Sequence, residues 1–238
     1  MLEQVKILAS RRAYEFSPDT LRLASLSIQG VQQQIQQLFN FQSFTIGSPI
    51  PTFGEVPATY PPGVVFNLGV WIYQEEHLVP IRFIHFEPKR IVIDIAGPSA
   101  AIDGIAERLF YFLSGLRAAD GTTAVGEPER ILDYSEISAH FSSPLDAIFP
   151  KSLRRLLSKT VNIDVDNKSK VIIPTIALQA FPKDEVVRAI PSANDAHAFT
   201  FGLRSGTRSD AYIYYSGAPL DSEAHLSYLN ELEALLGS

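Results

Sequence analysis

Three apolar segments in close succession constrain this chain more than any other feature. VVFNLGVWIY (64–73), LVPIRFIHF (78–86) and RIVIDIA (90–96) are rich in β-branched and aromatic residues. Only QEEH and EPKR separate them. Connections that short make neighbouring strands antiparallel. GPSAAIDGIAERLFYFLSG follows at once, with Ile102, Ile105, Leu109, Leu113 and Leu116 at helical spacing. Pro98 stands near its start and Gly115 near its end, the usual asymmetry of a helix. The pattern predicts a β-meander closed by a helix.

Short turns also fix which side chains share a face. A first turn centred between Glu75 and Glu76 sets Phe66 opposite His85, Leu68 opposite Phe83, Val70 opposite Ile81 and Ile72 opposite Val79. A second centred between Pro88 and Lys89 sets His85 opposite Val92 and Phe83 opposite Asp94. One face then carries Phe66, Leu68, Val70, Ile72, Val79, Ile81, Phe83, His85, Val92 and Asp94. The other carries Trp71, Tyr73, Leu78, Arg82, Ile84, Phe86, Ile91, Ile93 and Ile95, among others. Neither is polar, whereas a sheet wetted on one side alternates cleanly. Both faces are therefore expected to be covered, one by the helix and the other by a further layer or subunit.

The rest of the chain divides around this unit. Residues 1–46 read as a helical or mixed segment: 1–16 fit helix or strand equally, and Ser17-Pro18 is a good helix start. A helix is expected over 31–39, its Gln residues on the solvated face opposite Val31, Ile35 and Leu38. Residues 47–63 hold five prolines and three glycines, which excludes a central strand or helix and predicts an extended connector. The meander and its helix occupy 64–120. Residues 121–238 form a second α+β half: strands at ILDYSEISAHF, KVIIPTIALQAF, AFTFGLRS and AYIYYSG, then a helix capped by Asp221 with Leu226, Leu229 and Leu236 as its stripe. The expected fold class is α+β: antiparallel meanders each closed by a helix, the two halves related and packed together.

Composition excludes several chemistries. The 238 residues contain no Cys and one Met, so disulfides, thiolate nucleophiles and cysteine-bound metals are absent. Charged residues make up 19%, below the usual quarter, and mean hydropathy is +0.07. That much apolar surface favours association with a second copy or a protein partner. No run of 18 apolar residues exists, so no membrane helix is expected. The first residues place a basic pair after the apolar stretch, the reverse of a secretory signal, so a cytoplasmic location is expected. A net charge of -6 argues against nucleic acid.

Candidate chemistry is sparse. His85 and Asp94 lie diagonally on one face in the register above, where a carboxylate can fix an imidazole tautomer for base catalysis. No serine or threonine completes a triad by spacing, and a buried polar pair is the plainer reading. Glu75, Glu76, His77, His85 and Glu87 lack metal-ligand spacing, so no metal and no cofactor is expected. Lys151, Arg154, Arg155 and Lys159 head the one basic patch, suited to an anion or an acidic partner face. GLRSGTRSD (202–210) lacks the GK[ST] of a phosphate loop and reads as a hairpin loop.

These features together predict a non-enzymatic binding or assembly protein, self-associating or partner-binding. The alternative is a small-molecule-binding or hydrolase-like protein with a pocket near His85 and Asp94.

Overall fold

The computed structural model describes residues 2–17, 20–22, 29–47, 63–74, 77–117, 121–144, 147, 149–152, 175–179 and 198–236. Its strands are β1 (Glu3–Glu15), β2 (Ser43–Gly47), β3 (Gly63–Tyr73), β4 (His77–Glu87), β5 (Arg90–Ile95), β6 (Arg130–His140), β7 (Thr175–Gln179), β8 (Ala198–Leu203) and β9 (Ile213–Ala218). Its α-helices among the described residues are α1 (Gln29–Leu38), α2 (Ala100–Ser114) and α3 (Ser222–Leu236). The strands follow the order β2-β3-β4-β5-β1-β6-β9-β8-β7 in a mostly antiparallel sheet. The class is therefore α+β. The ambiguous N-terminus is a strand, and Leu21 makes an isolated bridge to Val125 where a helix from Ser17 was expected. Residues 48–62 of the Pro-rich connector lie outside the described residues.

The chain forms two compact units. The first comprises Ile7–Ser135 with Leu220–Ser222, the second Met1–Lys6, Glu136–Pro219 and Glu223–Ser238.

In the first unit the second turn has the expected register, with His85 opposite Val92 and Phe83 opposite Asp94. The first turn is displaced by one residue: Tyr73 pairs His77, Trp71 pairs Val79 and Gly69 pairs Ile81. Gln74 adopts a left-handed φ of 51° and joins the turn, so three residues, 74–76, separate the last pair of the ladder where two, 75–76, were expected. A second irregularity lies at Leu68, φ 56°, facing the register shift between Ile81 and Phe83. An extra residue reverses the facing of everything beyond it. The helix-covered face is therefore Val64, Phe66, Gly69, Trp71, Val79, Ile81, Ile84, Phe86, Ile91, Ile93 and Ile95, nearly all of it buried. This corrects both faces expected above.

Helix α2 covers that face through Ala101, Ile102, Ile105, Leu109 and Leu113. A Cβ on Gly104 would lie 3.0 Å from the Trp71 ring, so indole and helix backbone approach closely. Phe39, Phe41, Phe44, Phe66 and Phe86 continue the core as a chain of rings with centroids 5.5–5.8 Å apart. Helix α1 buries Ile35 as expected, but also Gln32, so its glutamines are not all on the solvated side. Arg12 ties the layers together: it bonds Asp133 at 2.7 Å and also pairs with Asp103 of α2. Burial opposes its charge, yet these carboxylates outweigh that and raise its pKa.

In the second unit Phe201 and Tyr214 pack beside Phe141, the Phe201 and Tyr214 rings stacked at 4.8 Å. Helix α3 buries Leu229 and Leu236 but presents His225 and Glu233 inward beside them, a departure from the all-leucine stripe. Glu233 accepts the Ser142 amide at 3.1 Å. His225 Nε2 lies 2.8 Å from Ser216 Oγ. Ser216 donates its proton to the Thr200 carbonyl at 2.9 Å, so its oxygen accepts from the Nε2–H of a neutral imidazole. Burial lowers the His225 pKa to about 4.

Candidate interaction surface

The face of the first unit turned away from α2 holds the sequence-derived candidates. Residues on it follow from the register: Val65, His85 and Val92 in one row, Asn67, Phe83 and Asp94 in the next, then Val70 beside Pro80 and Ile72 beside Leu78. Trp71 packs toward α2, so Val70 and Ile72 point the other way.

Asp94 is 1% exposed and is the penultimate residue of β5. Arg11 of β1, directly opposite in register, bonds it through Nε and Nη2, both 2.8 Å from Oδ2. Arg82 of β4 brings its Nε within 2.8 Å of Oδ1. Two guanidiniums thus offset the cost of burying one carboxylate. The Arg11 guanidinium also lies 5.6 Å from the Phe83 ring centroid and 5.8 Å from that of Tyr134, within cation–π range. Arg82, expected on the opposite face, shares the Asp94 face because the β-bulge at Leu68 and Arg82 reverses facing there.

His85 stands on the same face, but its partner is Glu87: Nδ1 lies 3.1 Å from Oε1. Burial opposes the charge of Glu87, yet hydrogen bonds from His85 and Arg90 outweigh it and hold the pKa below the ordinary range. His85 Nε2 is buried near Gly63, whose added Cβ would lie 3.1 Å away. The structure places His85 and Asp94 side by side on one face and gives each a different partner.

Arg11 escaped sequence reasoning. Its spacing from Arg82 and Asp94 in the chain carries no signal, because β1 and β5 are joined by a long crossover. Lys151 is exposed at the start of a helical turn, while Arg154, Arg155 and Lys159 lie outside the described residues. Of the metal candidates, His77 is exposed and Glu75 and Glu76 lie outside the described residues.

Beyond Arg82 this face turns apolar and open. Leu68, Val70, Ile72 and Leu78 are all exposed, Ile72 at 62% and Leu78 at 69%, and Pro80 is exposed beside Val70. No helix among the described residues is long and apolar enough to cross a membrane. Neither a protein-family model nor a curated protein matches the chain.

Proposed function

We propose that this chain is a non-enzymatic binding and assembly protein that associates through the open face of β3 and β4. One observation carries the reading: Leu68, Val70, Ile72, Leu78 and Pro80 form an exposed apolar strip on the sheet face opposite α2. Apolar surface gathered on one rigid face, rimmed by an arginine, is the usual anatomy of a protein interface. The polar groups near it are already engaged. Asp94 serves Arg11 and Arg82, and His85 serves Glu87, which favours a structural role over base catalysis at these residues.

The two halves are read as related units, each a set of antiparallel strands followed by a helix. A shift of 123 residues carries Ser99 onto Ser222. The same shift carries β5 onto β9, both six residues long, and each serine stands four residues beyond its strand. The helices that follow, α2 and α3, are both 15 residues. Strand orders β3-β4-β5-β1 and β7-β8-β9-β6 correspond element by element. We place the protein in the cytoplasm, with a second copy as first partner.

Light scattering on the purified chain tests this. The expected result is a dimer or larger species that holds on dilution, and that Ile72→Lys with Leu78→Glu converts to a folded monomer. A strict monomer at all concentrations sinks the self-association reading.

A further inference from the structure

The second unit carries a notch on the opposite side of its strands from α3. Phe199 faces α3, its ring 4.9 Å from that of Tyr228 and 6.2 Å from that of His225. Alternation along β8 then turns Thr200 and Gly202 to the other side, with Arg204 next in the row. The Arg204 amide still donates to Ile213 O at 2.9 Å, so the ladder positions it.

Gly202 lies between Thr175 of β7 and Tyr215 of β9 in register. A cavity of about 370 Å³ lies there, lined by Thr175, Thr200, Gly202, Leu203, Arg204, Ser205 and Tyr215, within the range of small-molecule sites. Its wall is mostly apolar with hydroxyl-bearing residues at intervals, and among the described residues Arg204 is its one cation. Among the described residues no carboxylate pairs with Arg204; its Nη1 donates to Ser138 Oγ at 3.4 Å. Arg208, in the same loop, is by contrast held in a two-bond fork by Asp210 at 3.0 and 2.7 Å. Among the described residues the loop thus pairs Arg208 with a carboxylate and leaves Arg204 without one.

We propose that this notch binds a small organic oxyanion. The anionic head sits on Arg204, where a planar guanidinium matches carboxylate or phosphate oxygens in pairs. The hydroxyls of Ser205 and Thr175 lie at the sides, and the organic body rests over Gly202 against Tyr215. The volume exceeds what a bare inorganic anion fills. The site shares no residue with the β3–β4 face and stands independently of the assembly reading.

Calorimetric titration of the full chain tests it with benzoate and phenyl phosphate as probes and neutral benzamide as control. Saturable binding of either anion in the millimolar range or tighter, with none for benzamide, is expected. Benzoate alone identifies a carboxylate site and phenyl phosphate alone a phosphate site. Arg204→Gln, a surface change, is expected to weaken binding about tenfold or more. Gly202→Val fills the notch, keeps the charge and is expected to weaken it as much. Absence of saturable binding by the native chain overturns the proposal. So does Arg204→Gln binding as tightly as the native chain.

Discussion

Ser99 and Ser222 cap each other: the Ser99 amide donates to the Ser222 hydroxyl at 2.9 Å, and the Ser222 amide donates to the Ser99 hydroxyl at 2.7 Å. Both are buried, and each amide belongs to the first turn of a helix or its cap, where donors lack partners along the helix. Replacing either serine by alanine leaves one buried amide unsatisfied, at a cost of about 1–2 kcal/mol. Replacing both leaves two buried amides unsatisfied and is expected to cost about the sum, since each hydroxyl serves a different amide. Denaturant unfolding of the two single variants and the double variant measures this, and an unchanged stability in either single variant would show that its hydroxyl does not satisfy the facing amide.

Asp94 gives a second prediction. Its removal leaves two guanidiniums without a counter-ion, but they are 33% and 41% exposed. Water screens them, so Asp94→Asn is expected to cost about 2 kcal/mol, short of the 3–5 of a fully buried pair. Arg82→Gln is expected to cost under about 1 kcal/mol, since Arg11 keeps its contacts and its place over two rings. Equal losses in the two variants would contradict this ranking.

His225 sets the acid limit of stability above that of the carboxylates. Its folded pKa of about 4 lies below the ordinary 6.5, so between those values the unfolded chain binds more protons. Stability is complete above about pH 6.5 and falls as pH drops toward 4, by on the order of 3 kcal/mol in all. Glu87, with its pKa below the ordinary 4.5, is a depressed carboxylate, and its contribution is lost only further down. His225→Leu is expected to flatten the curve between pH 6.5 and 4 and leave the lower limb intact. An unchanged slope in that window would show that His225 does not govern it.

Two glycines are expected to respond oppositely to alanine. At Gly69 an added Cβ would meet the Phe41 ring at 2.5 Å and the Phe39 carbonyl at 3.0 Å, so overpacking should cost about 1–3 kcal/mol. At Gly30, in α1, nothing lies within 4 Å, so alanine should add about 0.5–1 kcal/mol of helix stability. Thermal unfolding of both variants checks the signs.

Most strands and helices were legible because their patterns are local. Ile102, Ile105, Leu109 and Leu113 lie on one side of a helix at any packing, and the turn around Pro88-Lys89 fixed the pairing of Phe83 with Asp94. The other turn was not legible. Gln74 and Leu68 take left-handed conformations without being glycine or asparagine, and nothing in their side chains announces it. Arg82 was consequently assigned to the wrong face. Buried polar groups were hidden for a different reason. His225 and Glu233 sit at inward positions of α3, where Ser216 and the Ser142 amide help to make them tolerable. Ser216 lies nine residues away across a turn and Ser142 ninety-one residues away, and neither spacing carries a sequence signal.

The placement of β1 has a consequence for how the chain is made. Ser10 pairs with Ile95 and Tyr14 with Ile91, and the other neighbour of β1 in the sheet is β6. As the chain leaves the ribosome, β1 therefore has neither partner until most of the first unit has followed it. Until then its alternating apolar residues and open backbone edge are available to any other strand nearby. Synthesis of this protein passes through an interval in which β1 depends on later arrivals, and slowing the ribosome before residue 95 should lengthen that interval and favour aggregation.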